Sequence, residues 1–276
     1  MSTATYTIDA THRTATTSPA RTPKIRRVLK AEWTKLRTLP STWRTVVMAT
    51  VISIALGTIL CASQVHAWST MTAQQRLIFD PTACSLFGVV FVGAVLLAAL
   101  GVRAVTAEYV TGMIRSTFSA TPTRRLVLAA KAAVTAAFVF PVALLTTVVS
   151  FVVGQRVFTD KHLDVSFAHP GVLQAVVFGA VAVSLIAVIG VGIGGLIRHT
   201  AAATTTLVLV IVGGVTIGQL LPAGLRQYVP GTALQAAVTV NHSTGLLKPG
   251  AAVVVLGVYA AIALAAASIR AAHRDA

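Results

Sequence analysis

Six stretches of about 20 uncharged, mostly apolar residues run through this chain, and a helix needs about 20 such residues to cross the hydrocarbon core of a bilayer. They place spans at about 45–63, 83–102, 126–153, 171–197, 200–221 and 250–269, with the uncharged part of the third beginning at Ala132. Val, Ala, Leu and Thr fill them without the alternation of lipid-facing and lumen-facing residues that a β-barrel strand requires, so the spans are predicted to be helices. With 55% hydrophobic and 11% charged residues and a mean hydropathy of +0.82, the composition lies far from that of a soluble globular protein. The expected fold is an all-α integral membrane protein with six transmembrane helices spread over 45–270.

The formal net charge is +15, and the distribution of the charges decides what it means. The six spans divide the polar segments between two sides, and 17 of the 22 Lys and Arg fall on the side of the termini. By the positive-inside rule both termini are expected in the cytoplasm, which for a bacterial chain means a plasma-membrane protein. Attraction to anionic lipid headgroups is a second contribution of the same charges. No basic and aromatic surface module accompanies them, so nucleic acid is not an expected partner.

Residues 1–23 are rich in Thr, Ser and Ala and read as a disordered cytoplasmic tail, and 271–276 as a second, short tail. Between the first tail and span one, residues 24–44 set Ile25, Val28, Leu29, Trp33 and Leu36 at helical spacing among basic residues. This predicts an amphipathic helix in the headgroup layer, anchored by Arg26, Arg27, Lys30, Trp33 and Lys35; a solvated helix packed on the protein's own surface is the alternative. Arg124, Arg125 and Lys131 are expected to anchor the start of span three in the same way.

Several apparent motifs lose their meaning in context. Gly190, Gly192 and Gly195 satisfy GxGxxG, but inside a membrane run they cannot open the soluble βαβ unit that binds a dinucleotide. Gly190 with Gly194 and Gly214 with Gly218 form GxxxG pairs, which predict close helix packing within the chain or, alternatively, a dimer seam. Cys61 and Cys84 fall near the same ends of spans one and two and read as two small buried residues, a disulfide being the alternative. His162 and Asp164 lack a third positioned ligand, so the turn around them reads as solvated, without a metal. The segment 222–249 is apolar enough in its middle, Gly231 to Asn241, to dip back into the membrane interface or to cap the bundle.

The uncharged runs hold no ionisable group at bilayer depth, and the chain has neither HExxH nor GxSxG. Catalysis by this chain is not expected. Nor does it contain GxxxxGK[ST], so any ATP-driven function requires a separate ATPase.

The segment between spans two and three carries the remaining signal. Residues 104–118 have the spacing of a short amphipathic helix broken before Pro122, and Glu108 is the sole acid between Asp80 and Asp160. The stretch AEYVTGMIRSTFSATPTRRLVLAAK, Ala107 to Lys131, resembles the first cytoplasmic loop of ABC-2 type transporter permeases, and LKAEWTKLRTLPSTW, Leu29 to Trp43, is similar to the amphipathic lead-in of their actinobacterial branch. The resemblance extends over nearly the whole chain after Pro23 and implies a permease subunit of an ATP-binding cassette exporter. Such a subunit pairs with a second six-span subunit, the same or different, and with P-loop ATPase subunits that bind ATP and Mg. It also implies that Glu108, Tyr109, Gly112, Arg115 and Thr117 lie at or near a coupling contact with the ATPase, Glu108 facing a basic group there and Arg115 an acidic one. The cargo is unspecified, and the apolar walls are compatible with hydrophobic or amphipathic molecules. A membrane scaffold that recruits a cytoplasmic partner without transport is the competing expectation.

Overall fold

The computed structural model describes residues 25–113, 124–241 and 245–274. All regular structure among them is helical, and six helices are long and apolar enough to cross a membrane, as expected of a multi-pass membrane protein.

Helix α1 covers Ile25–Thr38 and α2 covers Pro40–Ala67, the first crossing. Leu39 separates them in an extended conformation, because the ring of Pro40 disfavours helical backbone in the residue before it, while Pro40 itself is suited to the first helical position. The expected 24–44 helix therefore ends earlier, and the first span starts at Pro40. Trp33 of α1 and Trp43 of α2 both make T-shaped contacts with Phe138, at 6.0 and 5.9 Å between ring centroids, which fold α1 back onto the third crossing.

After the short α3 (Ala73–Ile78), the second crossing, Pro81–Val110, is built from α4 (Pro81–Phe87), a π-helical turn at Gly88–Gly93 and α5 (Ala94–Val110). It is longer than the expected 83–102 and absorbs the first half of the predicted 104–118 helix. The helix stops at Val110 because Gly112 adopts φ +70°, a left-handed conformation that glycine accepts at low cost and that terminates helices. Residues 114–118 of the predicted loop helix lie outside the described residues.

The third crossing, α6 (Arg124–Phe158), runs through Pro141. The fourth, α7 (Val172–Ile197), is the most enclosed of the six. The fifth joins α8 (Thr200–Val208) through a π turn, Leu209–Gly213, to α9 (Gly214–Gly218). Two short helices, α10 (Ala223–Arg226) and α11 (Pro230–Ala236), precede the sixth crossing, α12 (Pro249–Arg274).

Glycine lets α7 serve as the centre. A Cβ on Gly101 of α5 would collide with Ala187 O, one on Gly190 would lie 2.6 Å from Ala98 O, and one on Gly194 would lie 2.9 Å from Val102 O. On another side of α7, Gly192 and Gly195 face Ala263 and Ala267 of α12. The GxxxG pair of span four is thus spent on packing against span two within the chain, the first of the two readings.

At the end of the bundle away from α1, α11 is almost wholly buried, so the middle of the 222–249 segment caps the helices. Asp80 holds it there. Its Oδ1 accepts from Thr82 N and Ala83 N at the start of α4, while its Oδ2 accepts from Val240 N at 2.6 Å and Asn241 N at 2.9 Å. Cys61 and Cys84 are both free thiols, with their Sγ atoms 3.7 Å apart.

Candidate functional site

The chain has only two glutamates, Glu32 and Glu108, and the fold brings them together 76 positions apart. On α6, Val127, Lys131, Val134, Thr135 and Phe138 recur at helical spacing and form its buried stripe, so Lys131 enters the interior as one member of an otherwise mostly apolar face. The same spacing turns Val105 and Glu108 of α5 inward, and Glu32 is the sole buried residue of α1. Lys131 Nζ donates to Glu108 Oε1 at 2.6 Å and to Glu32 Oε2 at 2.8 Å. Lys35, one turn beyond Glu32 on α1, donates to Glu108 Oε1 at 2.8 Å and to Glu32 Oε1 at 3.1 Å.

Each ammonium therefore lies between two carboxylates, and two positive and two negative charges balance. An unpaired charge at this burial would be prohibitively costly, whereas a matched set with several hydrogen bonds is tolerated. Lys35 is the half-open member, its side chain 40% exposed against 3% for Lys131. Burial by itself would lower the Lys35 pKa; the hydrogen bond to Glu108 and the charges of Glu32 and Glu108 outweigh it, and Lys35 keeps its proton above the ordinary lysine range.

The end of α5 is fastened on another side as well. Arg198, which ends α7 in a left-handed conformation at φ +60°, places its guanidinium 4.8 Å from the centre of the Tyr109 ring. Thr200, at the start of α8, donates to the Thr106 hydroxyl at 2.8 Å. Three residues, Thr106, Glu108 and Tyr109, thus tie one helix terminus to α1, α6 and the turn between α7 and α8.

These positions correct two expectations. Glu108 does not face outward toward a protein partner: it is 6% exposed and engaged by Lys131 and Lys35. Lys131 does not reach out to lipid headgroups, and the Lys35 ammonium, though its side chain is half-open, is likewise turned to carboxylates, because the fold presents buried counter-charges to both. Arg26, Arg27, Lys30 and Arg125 are exposed, and Trp33 is partly so. Gly112 is exposed in the turn that leaves α5, and Tyr109 lies just before it. Arg115, Thr117 and the side chain of Arg124 lie outside the described residues. Glu32 and Asp80 were missed by sequence reasoning. The signal for Glu32 was present: Ala31-Glu32-Trp33 and Ala107-Glu108-Tyr109 repeat the same Ala-Glu-aromatic triplet, and each glutamate is the lone acid of a basic segment.

Beside the tetrad is a cavity of about 330 Å³ between α1, α5 and α6. Leu36, Leu39, Ala104, Ala107, Met113 and Val134 supply its apolar lining, and Glu32, Lys35, Glu108, Lys131 and Thr135 its polar part. A second cavity, of about 400 Å³, lies at the other end between α2, α4 and the capping segment, lined by Gln64, Phe79, Cys84, Gln235 and Asn241 among others. Among the described residues no group of three or more His, Cys, Asp or Glu is placed to hold a metal ion.

No family model matches the chain, and no curated protein or solved structure matches it either.

Proposed function

We propose that this chain is the membrane subunit of an exporter of the ABC-2 type, a non-catalytic permease half driven by ATP hydrolysed on a separate P-loop subunit that binds ATP and Mg. The observation that carries this reading is the fastening of the α5 terminus. The loop leaving at Gly112 departs from a helix end joined by ion pairs to α1 and α6, and by a cation-π contact and a hydroxyl pair to the turn between α7 and α8. A push on that loop would be passed to four of the six crossings and to α1 together, which is the mechanical requirement on a coupling element. In this reading Glu108 transmits and does not touch the ATPase; the exposed turn of Gly112 and Met113, with Arg115 and Thr117 beyond it, forms the contact on the cytoplasmic side.

ATP-driven closure of the partner would bias the bundle between two states only if the partner binds one state more tightly than the other. The cargo in this proposal is hydrophobic or amphipathic, consistent with the mixed walls of the two cavities. A second permease subunit, the same or different, completes the assembly.

The test is purification of the tagged protein from its native membrane in mild detergent, followed by mass spectrometry and an ATP-hydrolysis assay. Recovery of a P-loop ATPase in near-equal amount, lost on combining Met113→Asp with Arg115→Glu while the subunit still inserts, supports the proposal. Recovery of the intact chain alone, or with partners that do not hydrolyse ATP, favours the scaffold reading.

A further inference from the structure

Two exposed arginines lie inside helices long and apolar enough to cross a membrane. Arg44 is four residues into α2 and Arg103 is seven residues short of the end of α5, about 6 and 10 Å from the helix ends. Among the described residues neither has an ion-pair partner. A charge on the outside of a span is costly unless it pairs or reaches phosphate at the membrane surface.

The described part of the chain does not supply the pair. Of its seven acidic residues, Glu32 and Glu108 are taken by Lys35 and Lys131, and Asp80 by the capping segment. Asp160 and Asp164 follow the far end of the 35-residue α6, about 50 Å along that helix from Arg124. Asp9 and Asp275 lie outside the described residues. A second copy of the chain therefore has no free acid among its described residues to offer at this end, and the counter-charge has to come from something other than this protein.

The geometry describes that counter-charge. Arg103 Nη2 donates to Ser41 Oγ at 3.1 Å, which uses one of five guanidinium N–H groups and leaves the Ser41 hydroxyl proton without an acceptor among the described residues. Arg103 is exposed and Ser41 partly so, and because the two groups already touch, one phosphate can accept from both. Arg44 follows Ser41 by one turn on the same face of α2 and adds a second positive charge. Beyond Arg44 on that face, Val47, Met48 and Val51 are each more than half exposed at the spacing of one helix stripe, a track for hydrocarbon. Trp43, next to Arg44, is 47% exposed and donates its indole N–H to Arg37 O at 3.0 Å, the half-apolar, half-polar setting of a tryptophan at headgroup level. A zwitterionic headgroup would bring its own cation to two arginines, whereas an anionic one would not. We infer that this face of α2 and α5 binds one anionic phospholipid, its phosphate held by Arg103 and Ser41 with Arg44 beside it, and an acyl chain along Val47, Met48 and Val51. The site depends on no ATPase partner.

The test is native mass spectrometry of the full chain in an uncharged detergent, titrated with phosphatidylglycerol or with phosphatidylcholine of the same acyl chains. The first phosphatidylglycerol is expected to bind about fivefold or more tighter than phosphatidylcholine, and Arg103→Gln and Arg44→Gln are each expected to weaken it about fivefold, the worth of one arginine at an anionic surface. Ser41→Ala should weaken it as well. Arg27→Gln, which removes the same charge from an exposed position on α1, is expected to leave the first lipid unchanged. Inorganic phosphate and glycerophosphoglycerol, the headgroup without its chains, are expected not to displace it. Arg44 makes no side-chain hydrogen bond or ion pair among the described residues, so its variant keeps the test decisive if Arg103→Gln fails to fold. Equal weakening by Arg27→Gln would show diffuse attraction of a basic face and overturn the inference, as would equal binding of phosphatidylcholine or no change in either arginine variant. Displacement by a soluble phosphate overturns it in favour of a free anion, and absence of bound lipid overturns it in favour of an acidic protein partner.

Discussion

Lys131 Nζ of the third crossing lies 2.6 Å from Glu108 Oε1 of the second, with both side chains more than nine-tenths buried. The same ammonium reaches Glu32 of α1 at 2.8 Å, so one lysine fastens a peripheral helix to two membrane helices. Removing one partner of such a pair leaves an uncompensated buried charge. Glu108→Gln and Lys131→Met are each expected to destabilise the protein by about 3–5 kcal/mol. The double variant should cost well under the sum, since residues in one ion-pair network couple strongly. Thermal unfolding of the four proteins of this cycle in one detergent reads the coupling; strict additivity would mean that the pair is not formed.

Lys35 makes alkaline stability a reporter of the same network. Its pKa is raised in the folded protein, so the folded state binds more protons than the unfolded state once pH passes the unfolded lysine value of about 10.4. The contribution is complete below that pH and is lost as pH rises through the folded value. Thermal stability of the wild type should fall more steeply above about pH 10.4 than that of Lys35→Met, and equal slopes would dissociate Lys35 from the carboxylates.

The glycines of the interior differ from glycines that are merely present. Gly101→Ala would drive a Cβ into the backbone of α7 at Ala187, where no side chain can swing away, and should lower stability by more than about 2 kcal/mol. Gly257→Ala, in the middle of α12 with nothing within 4 Å of the new Cβ, should raise it by about 0.5–1 kcal/mol. Paired melting curves of the two variants check the opposite signs.

The thiols of Cys61 and Cys84, 3.7 Å apart, join α2 to α4 at the end opposite the tetrad. Mild oxidation with a copper–phenanthroline catalyst should form a disulfide between them. It would appear as a loss of both maleimide-reactive thiols in the uncleaved chain after denaturation, reversed by dithiothreitol. Cys84→Ser should leave Cys61 reduced under the same conditions.

Much of the architecture was legible in the sequence because burial in a bilayer imposes a length and a composition on each crossing, and the uncharged runs displayed both. That the middle of 222–249 would find cover was visible for a related reason, since apolar residues outside a span must still be buried, but whether the interface or the bundle covers it was decided by the fold. The span limits were less legible. Val102 to Val110 contains Arg103 and Glu108, which ended the uncharged run at 102, yet the helix continues until Gly112 turns it.

Sequence alone determined that this chain is helical and holds six segments long and apolar enough to cross a membrane. Tertiary structure alone decided what its charges do. Glu32, Lys35, Glu108 and Lys131 belong to three separate helices, and each has the composition of an ordinary membrane-edge residue when read locally. Whether a lysine reaches out to lipid or inward to a carboxylate depends on which neighbour the packing presents, and here the fold of α1 across α6 presents two carboxylates to one ammonium. Long-range contact of this kind leaves no periodicity in the chain, whereas burial in hydrocarbon does.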